Sequence, residues 1–189
     1  FDDLEVLHSH LVESEKARGI TLSGPQKDAI IHALTEPVSV ITGGPGTGKT
    51  TLIQVLLDVG NKLGHTWRLA APTGRAAKRM EETTGQHAST IHRLLEYRPP
   101  PLGFARNLQT PLSGDGLVID EVSMLDVHLL EDLLQACPSN DGPFRLVCVG
   151  DVDQLPSVGP GRVLADLIES GKVPVTTLDS VYRQQEGSG

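Results

Sequence analysis

The chain has 189 residues, a length typical of one domain with a substantial core. Hydrophobic residues make up 38% of the sequence and aromatic residues only 3%, so the core must be built mainly from aliphatic side chains. The formal net charge of −8 disfavours a dedicated nucleic-acid-binding domain, and no apolar run approaches the roughly 18 residues that a membrane span needs.

The two cysteines, Cys137 and Cys148, lack the spacing of metal ligands and are expected to be free, reduced thiols. No signal peptide is recognisable, so we expect a cytoplasmic protein. The chain begins with Phe1 rather than Met, and residues 185–189 have the composition of a flexible tail. Both ends therefore suggest a segment of a larger protein.

The predicted elements alternate between helices and strands along the chain. An amphipathic helix is predicted within residues 1–20, a helix or linker that precedes the main domain. The apolar periodicity then predicts strands and helices in turn, with helices near 24–34, 51–57, 74–84, 91 onward, 126–136 and 162–170, and strands near 38–42, 67–71, 116–120, 145–150 and 175–178. Several strands are apolar without alternation, which predicts an α/β fold, a parallel sheet with helices on both faces.

The most informative stretch is Gly43–Thr50, which matches the phosphate-binding pattern G-x-x-x-x-G-K-[ST] at every fixed position. A predicted strand precedes it and a predicted helix follows it, as this loop requires. Glycines let the backbone N–H groups point inward, where they form an anion cradle with the N-terminus of the helix. The residues predicted to hold a nucleotide here are Gly44, Pro45, Gly46, Thr47, Gly48, Lys49, Thr50 and Thr51.

Two of these side chains have more specific predicted roles. Lys49 is expected to reach the β- and γ-phosphates, and the Thr50 hydroxyl to bind Mg²⁺.

An acidic pair, Asp120–Glu121, directly follows the predicted strand 116–120. The carboxyl ends of parallel strands are where open α/β sheets bind ligands. Asp120 is therefore predicted to hold Mg²⁺ with Thr50, and Glu121 to activate a water for attack on the γ-phosphate. The alternative interpretation of the pair is a solvated acidic turn.

Gln154 follows the next predicted strand at the same edge of the sheet. Its neutral amide is suited to sensing the γ-phosphate and to passing that signal to Pro156 and Ser157. The alternative is a Gly/Pro turn capped by Asp151.

These segments, taken with others in the same order, resemble the first motor domain of superfamily I DNA helicases of the 5′-to-3′ branch, and RecD-type helicases most. The resemblance runs from about residue 22 to 184, nearly the whole chain. Its motifs are 22–26, 43–50, 70–77, 89–95, 118–124, 149–156 and 178–184.

The resemblance implies a RecA-like P-loop NTPase domain over residues 21–184, with a small Pro/Gly-rich insertion at about 97–115. It implies that Gln26 contacts adenine and that Arg183 approaches the γ-phosphate. ATP and Mg²⁺ are the implied cofactors, and single-stranded DNA the implied partner, in DNA repair or recombination.

The resemblance also implies a set of DNA contacts, at Thr73, Gly74, Arg75, His92, Arg93, Pro156 and Ser157. From composition alone, Arg75 and its neighbours Lys78 and Arg79 are equally the exposed face of a helix. Tyr97 and Phe104 flank the insertion and have two open interpretations, a DNA contact or a small local core.

Members of this family continue into a second motor domain, whose motifs this sequence does not contain. We therefore expect the chain to need that domain for strand separation, and other helicase or nuclease subunits are further candidate partners. Two alternatives are an RNA helicase, which recognition of the 2′-hydroxyl would distinguish, and a nucleotide-binding switch module without unwinding activity.

Overall fold

The computed structural model describes residues 4–138, 144–154 and 161–178. Seven helices occur there, α1 to α7 in chain order: Leu4–Arg18, Gly24–Thr35, Lys49–Lys62, Gly74–Thr84, Ile91–Leu94, Val127–Ala136 and Val163–Glu169. Eight strands occur in the same residues, β1 to β8: Val38–Gly43, Trp67–Ala71, Ala88–Thr90, Tyr97–Arg98, Gly103–Phe104, Gly116–Ile119, Arg145–Gly150 and Val175–Leu178. The predicted strands and helices are confirmed, with α5 reduced to one turn.

Six of the strands form one sheet in the order β3-β2-β6-β7-β1-β8, and all its pairings are parallel. The strands β1, β6 and β7 are buried almost throughout because helices cover both sides of them. The predicted α/β architecture is therefore confirmed.

Successive residues of the strands pack into different cores on the two faces of the sheet. In β6, Val118 belongs to the core beneath α1 to α4, whereas Leu117 and Ile119 belong to the core beneath α5 to α7. Each buried aliphatic side chain of this size contributes roughly 1.5–3 kcal/mol of transfer free energy. The apolar runs in the sequence thus reflect strands with no solvent-facing side.

Helix starts follow from local side-chain hydrogen bonds. Ser23 caps α2 through a capping box, in which its hydroxyl accepts the Gln26 N–H at 3.3 Å and the Gln26 side chain accepts the Ser23 N–H at 2.8 Å. Asp126 caps α6 by accepting the Leu129 N–H at 2.8 Å. These bonds satisfy N–H groups that have no partner within the helix.

Helix α1 packs against the helix that follows the phosphate loop. Leu7 and Leu11 are buried in the same core as α3. Asp58 of α3 accepts hydrogen bonds from Ser14 at 2.8 Å and from Arg18 at 2.5 Å. Partial burial opposes ionisation of Asp58, but these bonds outweigh it and lower the pKa of the carboxyl. Helix α1 therefore shares the core with the main sheet.

Trp67 is only 3% exposed and lies against two glycines, one in α3 and one in β6. A Cβ at Gly60 would lie 2.5 Å from the indole Nε1, and a Cβ at Gly116 would lie 2.5 Å from the indole Cζ3. Glycine is needed at both positions because any side chain would occupy the volume of the indole. The single tryptophan thus packs in the core.

Gly116→Ala is expected to destabilise the domain by about 1–3 kcal/mol, because the added methyl forces the indole or the sheet to move. The matched control is Gly24→Ala, since a Cβ at Gly24 has no neighbour within 4 Å. Urea unfolding followed by circular dichroism measures both. Equal midpoints for the two variants would contradict this account of the packing.

The Pro/Gly-rich segment contains a small hairpin. Strands β4 and β5 pair antiparallel, with Tyr97 opposite Phe104. Phe104 packs on the core beneath α5 to α7, while Tyr97 is 48% exposed. The hairpin is therefore anchored to the domain from one side.

Candidate nucleotide site and nucleic-acid edge

The order of the strands determines which loops meet. Strands β6, β7 and β1 are neighbours, and because they are parallel their carboxyl ends lie at one edge of the sheet. The acidic pair follows β6, Asp151 follows β7, and the phosphate loop follows β1. The topology therefore gathers the predicted phosphate, metal and catalytic residues in one place.

The phosphate loop takes a tight path between β1 and α3. Gly46 and Gly48 have left-handed backbones, with φ of 73° and 91°, which glycine adopts without steric cost. A Cβ at Gly43 would lie 2.6 Å from the Thr47 hydroxyl and 2.8 Å from the Leu178 carbonyl oxygen. The glycines of the pattern are thus required by the shape of the loop.

Two side chains brace the loop from within. The Thr47 hydroxyl donates to the Gly44 carbonyl at 2.6 Å. The Lys49 ammonium donates to the Gly44 carbonyl at 2.9 Å and to the Gly43 carbonyl. The lysine charge is therefore held directly at the loop, within reach of an anion bound there.

A cavity of about 440 Å³ opens beside the loop. Its lining comprises Pro45, Gly46, Thr47, Gly48, Lys49, Thr50, Arg79, Asp120, Glu121, Gly150, Asp151 and Gln154. The structure thus brings together most of the predicted nucleotide, metal and catalytic residues. Gly44, Thr51 and Gln26 do not line this cavity.

Gln26 is buried in the capping box at the start of α2, where its side-chain oxygen accepts the Ser23 N–H. This bond fixes the orientation of the amide. A contact with adenine remains a prediction for Gln26.

The acidic pair makes a strained turn. Glu121 has a left-handed backbone with φ of 54°, uncommon for a residue with a side chain, and its N–H donates to the Asp120 carboxylate at 2.8 Å. Such outliers concentrate at functional sites, because the surrounding structure must hold them. Both residues of the pair line the cavity and neither is fully exposed, which favours a functional site over a solvated acidic turn.

The Asp120 carboxyl has a raised pKa. Burial raises its pKa above the usual range, and the neighbouring Glu121 charge raises it further. The Glu121 N–H and the charges of Lys49 and Arg79 act in the opposite direction but do not prevail. A cation bound next to Asp120 would therefore stabilise its ionised carboxylate.

A magnesium ion fits this environment. Thr50 and Asp120 offer hard oxygen donors in one cavity, the donor type that Mg²⁺ prefers. No group of three or more His, Cys, Asp or Glu side chains able to hold a metal occurs in residues 4–138, 144–154 and 161–178. Few protein ligands are needed, because Mg²⁺ in such sites is held by one or two side chains together with substrate phosphates and water.

Asp151 and Gln154, which follow β7, also line the cavity. Asp151 is buried, and its carboxylate accepts the Asp153 N–H at 2.9 Å, while its carbonyl accepts the Gln154 N–H at 3.1 Å. Asp151 thus caps the turn after β7, and this turn holds Gln154 in the cavity lining. The predicted turn cap is present, and Asp151 also lines the cavity, which the sequence did not predict.

Sequence reasoning missed Arg79, which was interpreted as one of several exposed cations of α4. Its guanidinium Nη1 lies 3.6 Å from the Glu121 carboxylate, and the side chain lines the cavity. The sequence carries no signal for this contact, because it depends on how α4 packs against the sheet.

The predicted DNA-contact segments lie side by side at the β3 end of the sheet. Ala71 of β2 pairs with Thr90 of β3, so α4 and α5 begin next to each other. The hydroxyls of Thr73 and Thr90 cap these helices, each accepting a backbone N–H at 3.2 Å. Gly74, Arg75, His92 and Arg93 are exposed there. Their contact with DNA remains a prediction.

The His92 ring packs against the hairpin. Its centroid lies 5.7 Å from that of Tyr97 and 5.8 Å from that of Phe104, and the latter two rings are 5.1 Å apart. These contacts support the interpretation of Tyr97 and Phe104 as a small local core, which also fixes the orientation of His92.

A separate cavity of about 560 Å³ lies between β2, β3 and the segment around the hairpin, away from the phosphate loop. Arg93 lines it with Arg68 and Arg106. Arg68 donates to Ser113, and Arg106 pairs with Glu96.

Three predicted site residues, Arg183, Pro156 and Ser157, lie outside the described residues. Their roles remain predictions.

The two cysteines are free and lie outside the nucleotide cavity. Burial raises the pKa of each thiol to about 12, so both are protonated at neutral pH. Among the described helices, none is long and apolar enough to traverse a bilayer.

A family model described as an AAA domain matches residues 26–160, which include the phosphate loop, the acidic pair and Gln154. The chain belongs to the AAA domain family. Membership in this family implies nucleotide binding. The RecD-like resemblance of the motifs is confirmed by the relatives of this AAA domain.

The chain is 43% identical over 163 residues to the ATP-dependent RecD2 DNA helicase of Deinococcus radiodurans, covering 86% of this chain and 22% of that protein. It is 39% identical over 189 residues to the RecBCD enzyme subunit RecD of Mycolicibacterium smegmatis, covering 87% of this chain and 34% of that subunit. The chain thus spans between about a fifth and a third of these relatives' length.

Solved structures share the fold. The Pif1 helicase from Candida albicans superposes with a TM-score of 0.59 at 27% identity, covering 87% of this chain and 41% of that one. Bacteroides sp Pif1 in complex with ADP-AlF4 superposes with a TM-score of 0.60 at 21% identity, covering 88% and 44%. The sheet with its phosphate loop is therefore the RecA-like arrangement that the motifs implied.

Proposed function

We propose that this AAA domain binds and hydrolyses Mg²⁺-ATP as the first motor domain of a 5′-to-3′ DNA helicase. The observation that carries the proposal is that the phosphate loop and the Asp120–Glu121 pair line one cavity. A purely nucleotide-binding switch does not need a second carboxylate beside the metal ligand. The polarity rests on the motif resemblance and the DNA substrate on the names of the RecD relatives.

Each part of the cavity has a role in this proposal. The N–H groups of residues 46–51 and the Lys49 ammonium bind the phosphates, and Thr50 with Asp120 holds Mg²⁺. Bound Mg²⁺ supplies charge neutralisation at the phosphates. Glu121 takes the proton of the attacking water, since it directly follows Asp120 in the cavity lining, whereas the Asp151 carboxylate caps a turn.

Other residues complete the proposed site. Gln154 senses the γ-phosphate from the β7 side, Gln26 recognises adenine, and Arg183 approaches the γ-phosphate. Single-stranded DNA runs over the starts of α4 and α5, where backbone N–H groups and the exposed residues Arg75 and Arg93 meet its phosphates.

The proposed partners follow from the relatives. One relative is named as a subunit of the RecBCD enzyme, which makes further helicase or nuclease subunits candidate partners of the full-length protein. A second motor domain is the expected partner within the same polypeptide. The expected process is DNA repair or recombination, in the cytoplasm.

Lys49→Ala is expected to weaken binding of a fluorescent ATP analogue about tenfold or more. The change removes the cation held at the loop, and hydrogen bonds to charged groups contribute roughly 1.5–3 kcal/mol each. The matched control is Lys62→Ala, at the other end of α3, where the ammonium pairs with Glu13. Equal affinities of the wild type and Lys49→Ala would refute the phosphate-binding role.

A further inference from the structure

Arg79 connects two functional regions of the domain. It lies on α4, and its Nη1 is 3.6 Å from Oε1 of Glu121, which belongs to the loop after β6. The Arg79 side chain is 64% exposed and that of Glu121 is 24% exposed. Both line the nucleotide cavity, so the ion pair faces the place where chemistry is proposed.

The backbone alone does not fix the Glu121 carboxylate. Its left-handed φ of 54° is set by the turn that leads into a 3-10 turn at Val122–Met124, and its N–H is used by Asp120. The carboxylate extends beyond this turn on a flexible side chain. The ion pair that holds it, among the described residues, is the one with Arg79.

The N-terminal end of α4, about one turn before Arg79, lies at the predicted nucleic-acid track. Thr73 caps the helix there, and Gly74 and Arg75 are exposed. Arg75 and Arg79 are four residues apart and share one face of the helix. The exposed face of α4 therefore runs from the predicted DNA contact to the carboxylate of Glu121.

We propose that Arg79 is a positioning residue for hydrolysis, which holds Glu121 in its working orientation and thereby ties α4 to the catalytic loop. This inference rests on the proposed role of Glu121 in hydrolysis. Exposed ion pairs contribute little to stability, so the domain should fold without this one. Misplacement of a catalytic group by about 1 Å, however, costs as much as 10²-fold in rate.

The test uses Arg79→Ala in the full-length protein. The expected result is a decrease in kcat for ATP of between about 10- and 100-fold, with the affinity for a fluorescent ATP analogue close to that of the wild type. Arg79→Lys should retain most of the turnover, because a single cation-to-carboxylate contact needs charge rather than the guanidinium fork. The matched control is Lys78→Ala, an exposed cation on the same helix that does not line the cavity, which should leave turnover unchanged.

The deciding measurement combines Arg79→Ala with Glu121→Gln under single-turnover conditions. If Arg79 acts through Glu121, its removal has no further effect once the carboxylate is gone. The same fractional loss in both backgrounds would overturn the inference, as would an unchanged kcat for Arg79→Ala. A tenfold loss of nucleotide affinity would also overturn it and make Arg79 a phosphate ligand. A Glu121→Gln variant with normal turnover would instead overturn the proposed role of Glu121 itself.

Discussion

Replacing Glu121 with glutamine in the full-length protein is expected to lower kcat for ATP hydrolysis by about 10²-fold or more, with little change in nucleotide affinity. Glutamine keeps the size of the side chain but cannot accept the proton of the attacking water. The proposed phosphate contacts come from the loop after β1, whereas Glu121 follows β6, so nucleotide binding should persist.

Glutamine is also the informative replacement for a structural reason. Glu121 has a left-handed backbone, so a change to glycine or alanine would alter the strain of the turn as well as the chemistry. Glu131→Gln, an exposed carboxylate on α6, serves as the matched control for the loss of one negative charge. Steady-state turnover measures the loss of kcat, and a nucleotide titration measures the affinity. Unchanged turnover in Glu121→Gln would assign the base to another residue.

Most helices and strands could be predicted from the sequence, because the local hydrophobic pattern and the capping residues agree with the tertiary packing. The β-branched runs that become β1 and β7 are buried on both faces, so their hydrophobicity does not alternate. Ser23 and Asp126 cap helices where capping chemistry predicts them. Helix α5 is the exception, since the chain leaves the helix at Leu94 and Glu96 adopts a left-handed φ of 53° before the hairpin. The short hairpin that follows had no clear pattern of its own.

The composition of the nucleotide site was predictable for a geometrical reason. Parallel strands end at the same edge of the sheet, so residues that follow β1, β6 and β7 had to converge once these strands were neighbours. The order of the strands is a tertiary property that periodicity does not encode. Arg79 was missed for the same reason, because its reach to Glu121 depends on how α4 packs against the sheet.

Tested alone, the 189-residue chain is expected to hydrolyse ATP slowly, with little stimulation by DNA and no strand separation. The resemblance to RecD-type helicases implies an ATP site between two motor domains, and the chain spans only 22% of one such relative and 34% of another. Pro45, Gly46 and Thr50 line the nucleotide cavity yet are exposed, as expected of a surface that a second domain would cover. Loss of a transition-state arginine alone reduces phosphoryl-transfer rates by about 10³-fold or more.

The same reasoning limits DNA binding by the isolated chain. The resemblance to RecD-type helicases implies that part of the DNA track lies on the second motor domain, and a net charge of −8 offers no general attraction for a polyanion. Weak binding of single strands should persist through the starts of α4 and α5. It should fade as salt rises, because contacts with phosphates release counterions and added salt opposes that release. ATP turnover with and without single-stranded DNA, and unwinding of a fork, are the measurements. Robust stimulation or unwinding by this chain would contradict the expectation that it needs a second motor domain. A second copy of the chain would then have to complete the ATP site.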